Sequence, residues 1–167
     1  IARERPNRKQ AEYQVELSQR DVAGRRAIER LLGRMGLRFS RWSPHGTCRM
    51  SHREIGEWLR RSCGVGAARK RIPMWVKEGS TEVMNAFLDA FLCGDGSAKA
   101  NGQGRSYSTS SRGLADDLQE ILAKLGRAGK LSEKVKAGSV TQIDGRRVVR
   151  RHALHALYER PSIGRQG

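Results

Sequence analysis

Two stretches of this chain follow one pattern 90 positions apart, and this constrains the fold more than any other feature. Leu17-Ser18 falls on Tyr107-Ser108, and Asp21 falls on Ser111. Ile28, Leu31, Leu32 and Met35 fall on Leu118, Ile121, Leu122 and Leu125, and Gly36 falls on Gly126. Each copy reads as a strand, a capped helix, a closing glycine and further strands. Repeated units of this kind imply a pseudo-symmetric pair, each half burying one apolar helix face against its own strands. Any two amphipathic helices can be aligned in part; the added match of strand, cap and glycine is what carries the repeat.

The local signals fill in each half. Tyr13, Val15 and Leu17 alternate with polar residues, as a half-buried strand does. Asp21 and Ser111 sit where helix N-caps belong, and Gly36 and Gly126 where C-terminal caps belong. Leu37–Ser43 reads as a strand and Thr47–Met50 as its return. Ser51 with Glu54 has the form of a capping box ahead of Ile55, Trp58 and Leu59. Residues 65–73 read as a linker, and Ser80 as the N-cap of a helix over 81–94 with Val83, Met84, Phe87, Leu88, Phe91 and Leu92 on its apolar face. Arg105–Ser110 alternates around Tyr107. Strands are expected near 128–136 and 147–157, split by the turn Asp144-Gly145. The expected organisation is a first half over 1–69, a second over 70–160, and a tail or link over 161–167.

Charge narrows the partner. The 167 residues carry 33 Lys+Arg against 17 Asp+Glu, a net charge of +16, which points to a polyanion. Hydrophobic residues are 37% and periodic, so the chain is not a disordered basic tail. The cations are spread along the sequence rather than along one amphipathic helix, which favours nucleic acid over a membrane surface. No stretch approaches the roughly 18 apolar residues of a membrane span, and the N-terminal sequence is no signal peptide. Cys48, Cys63 and Cys93 form no pair motif, which suits a reducing, cytoplasmic or nucleoid-associated location. His45, Cys48 and His52 match no common zinc spacing.

The segment Phe87–Ser97, FLDAFLCGDGS, carries the chemistry. Ala86, Ala90 and Gly94 lie four apart and make one small-residue stripe, which lets a second helix approach closely. Asp95 follows at the helix C-terminus, where the macrodipole disfavours an anion. A hard cation such as Mg²⁺ would neutralise it. Taken alone, Asp95-Gly96 reads more readily as a solvated turn with the glycine closing the helix.

Leu88–Gly96 resembles the dodecapeptide motif of LAGLIDADG homing endonucleases, especially the intein-encoded branch. The flanks agree. Lys70-Arg71-Ile72-Pro73 with a short amphipathic segment and Ser80 is similar to the family's lead-in to its second motif. Tyr107–Ser111, Leu114–Gln119 and Leu125-Gly126 resemble the strand and helix that follow. The resemblance is good over residues 70–135 and looser over 12–64. It implies an α+β, pseudo-symmetric fold. Two motif helices pack through small residues, and two antiparallel four-stranded sheets form a basic saddle for DNA. Each motif helix brings its last acid to a metal-containing centre. Carried over, Asp95 is the catalytic metal-binding acid, Gly94 supplies close packing and a backbone carbonyl to the metal, and Mg²⁺ is the cofactor. Lys130 or Lys134 is a candidate catalytic group that stabilises charge or orients water, although phosphate contact or solvent exposure is the commoner use of such a lysine. Lys99, Arg105, Ser106, Ser108, Lys130, Lys134, Arg147 and Arg150 are candidate DNA contacts, Tyr107 and Leu17 facing inward.

One departure matters. Only one such motif is present, and the repeat puts the counterpart of Asp95 near residue 5, in Arg3-Glu4-Arg5-Pro6, with no small-residue apolar helix before it. The first half therefore lacks its motif helix. A preceding segment, a second chain or a dimer are the alternatives, the first two favoured. Splice-junction residues are also lacking, Ile1 and Gly167 standing at the ends, so no splicing is expected of this stretch alone. The expected function is site-specific cleavage of double-stranded DNA by an intein's endonuclease region. The alternatives are a cleavage-deficient DNA- or RNA-binding module of the same fold, as in regulators and maturases, and a basic structural protein in which Asp95 is only a turn.

Overall fold

The computed structural model describes residues 2–3, 14–98, 104–143 and 145–160. The chain divides into two compact units, Ile1–Val65 and Gly66–Gly167.

In the first unit, β1 (Ala2–Arg3), β2 (Gln14–Ser18) and β3 (Thr47–Ser51) form an antiparallel sheet in that order. Helix α1 (Val22–Arg34) lies over it, with Leu32, Val15 and Met50 buried between. The Asp21 carboxylate accepts from the Gly24 amide at 2.7 Å and satisfies an amide the helix leaves open. Gly36, at φ +67°, closes the helix in a conformation that side-chain-bearing residues rarely adopt. Helix α2 (Arg53–Cys63) follows β3.

The expected strand Leu37–Ser43 is not a ladder strand. Ser40 donates its amide to the Arg49 carbonyl at 2.8 Å, but its hydroxyl, at 3.0 Å, accepts the Arg49 amide. The Ser43 hydroxyl accepts the Thr47 amide in the same way, so side-chain oxygens displace the carbonyls a regular ladder would use. The cap of α2 is likewise His52, whose Nδ1 accepts from the Ile55 amide at 3.5 Å, rather than Ser51. Ser51 is the last residue of β3 and pairs with Gln14.

In the second unit, a 3₁₀ turn (Ala67–Arg69) and α3 (Met74–Lys77) lead into α4 (Thr81–Asp95). Strands β4 (Gly96–Ala98), β5 (Arg105–Thr109), β6 (Gly129–Val135) and β9 (Leu154–Glu159) form an antiparallel sheet ordered β4-β5-β9-β6. Helix α5 (Arg112–Lys124) is capped by the Ser111 hydroxyl, which accepts from the Leu114 amide at 3.2 Å. The spacing of Leu114, Leu118, Ile121 and Leu122 puts all four on one face, where they share a core with Met84, Leu88, Tyr107 and Leu157. Ser80 occupies the N-cap position of α4 without a capping side-chain bond.

Two further expectations change. The single strand over 147–157 is two: β8 (Arg146–Val149) pairs only with β7 (Val140–Ile143), while Leu154–Glu159 is drawn between β5 and β6. The segment 65–73 is anchored rather than a free linker. The Ser111 hydroxyl donates to the Lys70 carbonyl at 2.7 Å, and Ile72 and Pro73 are buried. The tail over 161–167 lies outside the described residues.

The anchor is Asp117, which is 2% exposed on α5. It accepts from Arg71 Nε at 2.7 Å and Nη2 at 2.8 Å, from the Ile72 amide at 2.9 Å and from Lys77 Nζ at 3.1 Å. Burial alone would raise its carboxyl, but these bonds hold it below the usual carboxylate range. Its stabilising contribution is therefore complete above the unfolded carboxyl pKa and is lost as pH falls through the lower folded value. Asp117→Asn should cost about 3 kcal/mol in a urea titration at pH 7, the low end for a broken buried pair because Arg71 is half in water. The gap to the parent chain should close as pH falls below the carboxylate range.

Candidate nucleic-acid interface and metal-binding acid

Helix α4 has two unlike faces. Met84 and Leu88 are buried and Val83, Phe87, Phe91 and Leu92 pack beside them. Ala86, Ala90, Cys93 and Gly94 on the other side are all exposed. A Cβ built on Gly94 meets nothing within 4 Å, so nothing inside this unit requires glycine there. Small residues left open along a helix fit the close approach of another helix.

Asp95 is the last residue of α4 and is exposed. It has no hydrogen-bond or ion-pair partner among the described residues, whereas Asp89, on the same helix, is neutralised by Arg105 Nη1 at 2.8 Å. An unpaired carboxylate beside the open carbonyls of a helix end is a ready ligand for a hard cation. Among the described residues no group of three or more His, Cys, Asp or Glu side chains could hold an ion unaided. Mg²⁺ commonly takes only one or two carboxylates plus waters and phosphate oxygens, so Asp95 fits as part of a centre.

The sheet of the second unit offers a surface on the face away from its helices. Ser97, Ser106, Tyr158 and Lys130 stand in one cross-strand row. The Ser97 and Ser106 hydroxyls bond at 2.8 Å, and the Lys134 ammonium lies 5.2 Å from the Tyr158 ring. Ser108 lies one row on, opposite Ala156. Tyr107 points inward, fully buried, as expected, its hydroxyl donating to Glu159 at 2.8 Å. Burial, then the Glu159 carboxylate, pushes its phenol up to about 12. Arg127 reaches Glu159 at 3.4 Å and Asn85 at 2.6 Å, tying α4 to the sheet.

The candidate residues do not all converge. Lys130 and Lys134 lie on β6, three strand spacings from β4 and hence roughly 14 Å from the end of α4. The structure does not bring them to Asp95. Arg105 is committed to Asp89, and Arg147 and Arg150 lie beyond the main sheet on and beside β8. Lys99 lies outside the described residues. Tyr158, 37% exposed, opposite Lys130 and near the Lys134 ammonium, was not among the sequence candidates. Its signal, an aromatic alternating out of a strand ending Leu157-Tyr158-Glu159, depends on knowing which strands flank it.

Among the described residues, the first unit repeats this plan without a counterpart of α4. With β2 set on β5 by the repeat, Ala2 pairs with Val15 as Ala98 pairs with Arg105. The position matching Asp95 lies three residues before Ala2, ahead of Ile1, and not near residue 5, because the connection from β1 to β2 is longer than that from β4 to β5. Side chains agree. Ile121 is 0% exposed beneath α4, while its repeat counterpart Leu31 is 55% exposed and Met35 59%. Gly94→Ala should therefore leave the unit folded and stabilise it slightly, by about 0.5 kcal/mol, as measured by thermal unfolding. A loss of more than about 1 kcal/mol would mean that the stripe is already in use within the unit.

Comparisons with known proteins agree with this geometry. Residues 82–160 match the family described as LAGLIDADG-like domain. The chain is 32% identical over 99 residues to the ATP-dependent DNA helicase Hel308 of Thermococcus kodakarensis, covering 56% of this chain and 9% of that protein. It is 42% identical over 67 residues to the gyrase A protein of Mycobacterium gordonae, one of the subunits of DNA gyrase, covering 38% of this chain and 12% of that protein. It thus spans about a tenth of the length of these relatives. Among solved structures it is similar to I-DmoI in complex with DNA and Ca, with a TM-score of 0.61 at 10% identity over 95% of this chain and 74% of that one. I-DmoI in complex with DNA and Mn gives 0.60 at 10% identity, over 95% and 80%. At this identity the likeness is one of fold.

Proposed function

We propose that the chain, whose residues 82–160 match the LAGLIDADG-like domain family, is the DNA-cleaving region of an intein, acting on duplex DNA with Mg²⁺. The observation that carries this reading is the end of α4: an unpaired exposed carboxylate, Asp95, beside an uncovered stripe of small residues. The intein origin is supported by similarity to short stretches of two differently named proteins, a helicase and a gyrase. One segment occurring inside different proteins is the mark of an inserted element. Duplex DNA as partner is supported by the +16 charge and by the complexes in which I-DmoI is seen.

Each group has a distinct task in this reading. The Asp95 carboxylate, with the Gly94 carbonyl next to it, holds one side of the metal centre. A bound divalent cation supplies Lewis acidity toward the scissile phosphate and lowers the pKa of the attacking water. The stripe Ala86-Ala90-Gly94 receives a second motif helix, which delivers the other acid. Lys130, Lys134, Ser106, Ser108 and Tyr158 position the duplex through phosphate and groove contacts. Lys130 and Lys134 act there rather than at the scissile bond. The second helix comes from a preceding segment, a partner chain or a second copy.

A binding-only module is favoured by one observation: among the described residues no three His, Cys, Asp or Glu side chains gather into a group that could hold an ion unaided. Asp95→Asn separates the readings, assayed with a second acid-bearing motif helix supplied in cis or in trans. Cleavage of duplex DNA with Mg²⁺ should fall at least about 100-fold while binding holds or tightens, because one anion facing phosphate is gone. Cleavage by the parent that survives in the variant refutes the role of Asp95. No cleavage by either protein, with duplex binding intact, favours the binding module.

A further inference from the structure

A cleft of about 340 Å³ in the first unit is lined by Arg20, Arg25, Pro44 and His45. It lies where β2 runs on into α1 and the turn Pro44-His45-Gly46 leads into β3. The Gln19 amide ties the two stretches by donating to the Gly46 carbonyl at 2.8 Å. Arg25 is fixed within this corner. Its Nε donates to the Gln19 carbonyl at 2.8 Å and its Nη2 to the Arg20 carbonyl at 3.1 Å, and its guanidinium stands 5.6 Å from the Trp42 ring centroid. A Cβ on Gly46 would lie 2.9 Å from Nη2, so the turn packs directly on the guanidinium. These contacts set the plane of the fork and leave Nη1 with no bond among the described residues.

No carboxylate lines the cleft. Two neighbouring acids are already engaged, Asp21 accepting from the Gly24 amide at 2.7 Å and Glu29 from Trp42 Nε1 at 2.8 Å. The repeat does not demand these cations either. Ninety positions on, Arg20 falls on Ser110 and Arg25 on Ala115, which is buried. The shared scaffold thus accepts an alanine where the first unit holds a clamped guanidinium.

We propose that this cleft binds a terminal phosphate group, that of inorganic phosphate or of a phosphate monoester, apart from the candidate duplex contacts. A guanidinium fork takes phosphate oxygens in pairs, and one already held by backbone carbonyls loses less freedom on binding. Pockets for neutral molecules are lined mainly by apolar side chains, whereas three of the four lining residues here carry N–H donors. A phosphodiester within a strand offers two unbridged oxygens and a terminal phosphate three, which suits three donor side chains from separate segments. The inference uses neither Asp95 nor the cleavage reading.

The test follows backbone and tryptophan indole N–H signals of the isotope-labelled 167-residue chain by NMR. Inorganic phosphate is titrated at constant ionic strength, with chloride as the reference anion. Saturable shifts confined to residues 19–25 and 42–46 are expected. Arg20→Gln with His45→Gln should weaken binding at least about tenfold, as should Arg25→Lys, which keeps the charge and loses the fork. Arg26→Gln with Arg30→Gln removes at least as much charge from exposed positions of α1 and should change affinity less than about twofold. If Arg25→Lys fails to fold, the exposed pair Arg20 and His45 carries the test. Absence of saturable shifts, shifts reproduced by chloride, or equal weakening by the control overturns the proposal. Short duplexes with 5′-phosphate or 5′-hydroxyl ends then separate the sources. Displacement of inorganic phosphate by the phosphorylated duplex alone identifies a strand end, and displacement by neither identifies a small free phosphate. Equal displacement by both overturns the proposal, because backbone phosphates then occupy the cleft.

Discussion

One buried carboxylate organises the second unit. Asp117 on α5 gathers Arg71, the Ile72 amide and Lys77, and Lys77 reaches on to Glu120 at 2.9 Å. Lys124 donates back to the Lys77 carbonyl at 2.9 Å. These bonds pin the chain just before α4 to the helix just after β5. The register at which α4 enters is thereby set, and with it which face is buried and where Asp95 emerges. Buried ion pairs contribute little net stability on average, but this one is joined to a backbone amide and so fixes a geometry. Tyr107, Glu159, Arg127 and Asn85 hold α4 from the sheet side.

The first unit shows what happens without that arrangement. The repeat position of Asp117 is Ala27, an exposed alanine on α1. No motif helix among the described residues covers Leu31 and Met35 there. The two halves share caps, helix lengths and glycine closures, yet only one has a complete core. Leu31, exposed where its counterpart Ile121 is buried, locates the missing cover more sharply than the sequence repeat does.

Legibility differed by the range of the interaction involved. Both long repeat helices, the caps Asp21 and Ser111 and the terminal glycines depend on contacts within a few residues, and the structure has them where the pattern puts them. Leu37–Ser43 looked like a strand by composition, but the Ser40 and Ser43 hydroxyls took over ladder bonds, which depends on how β3 lies alongside. His52 displaced Ser51 as a cap because pairing with Gln14 held Ser51 in the sheet. The 147–157 stretch split because β9 is claimed by β5 and β6, a pairing between residues far apart in sequence.

By itself the sequence determined the periodic elements, the small-residue stripe on α4, the acid at its end and the preference for a polyanion. These follow from residue type and spacing, which act locally or through summed charge. Only the tertiary structure decided that Asp89 is neutralised while Asp95 is left unpaired among the described residues, that Lys130 and Lys134 stand a sheet's width from that acid, that Tyr158 lies beside Lys130 with the Lys134 ammonium near its ring, and that β7–β8 stands apart from the core. Each of these depends on strand order and on which distant side chains meet, and spacing along one chain does not encode that directly.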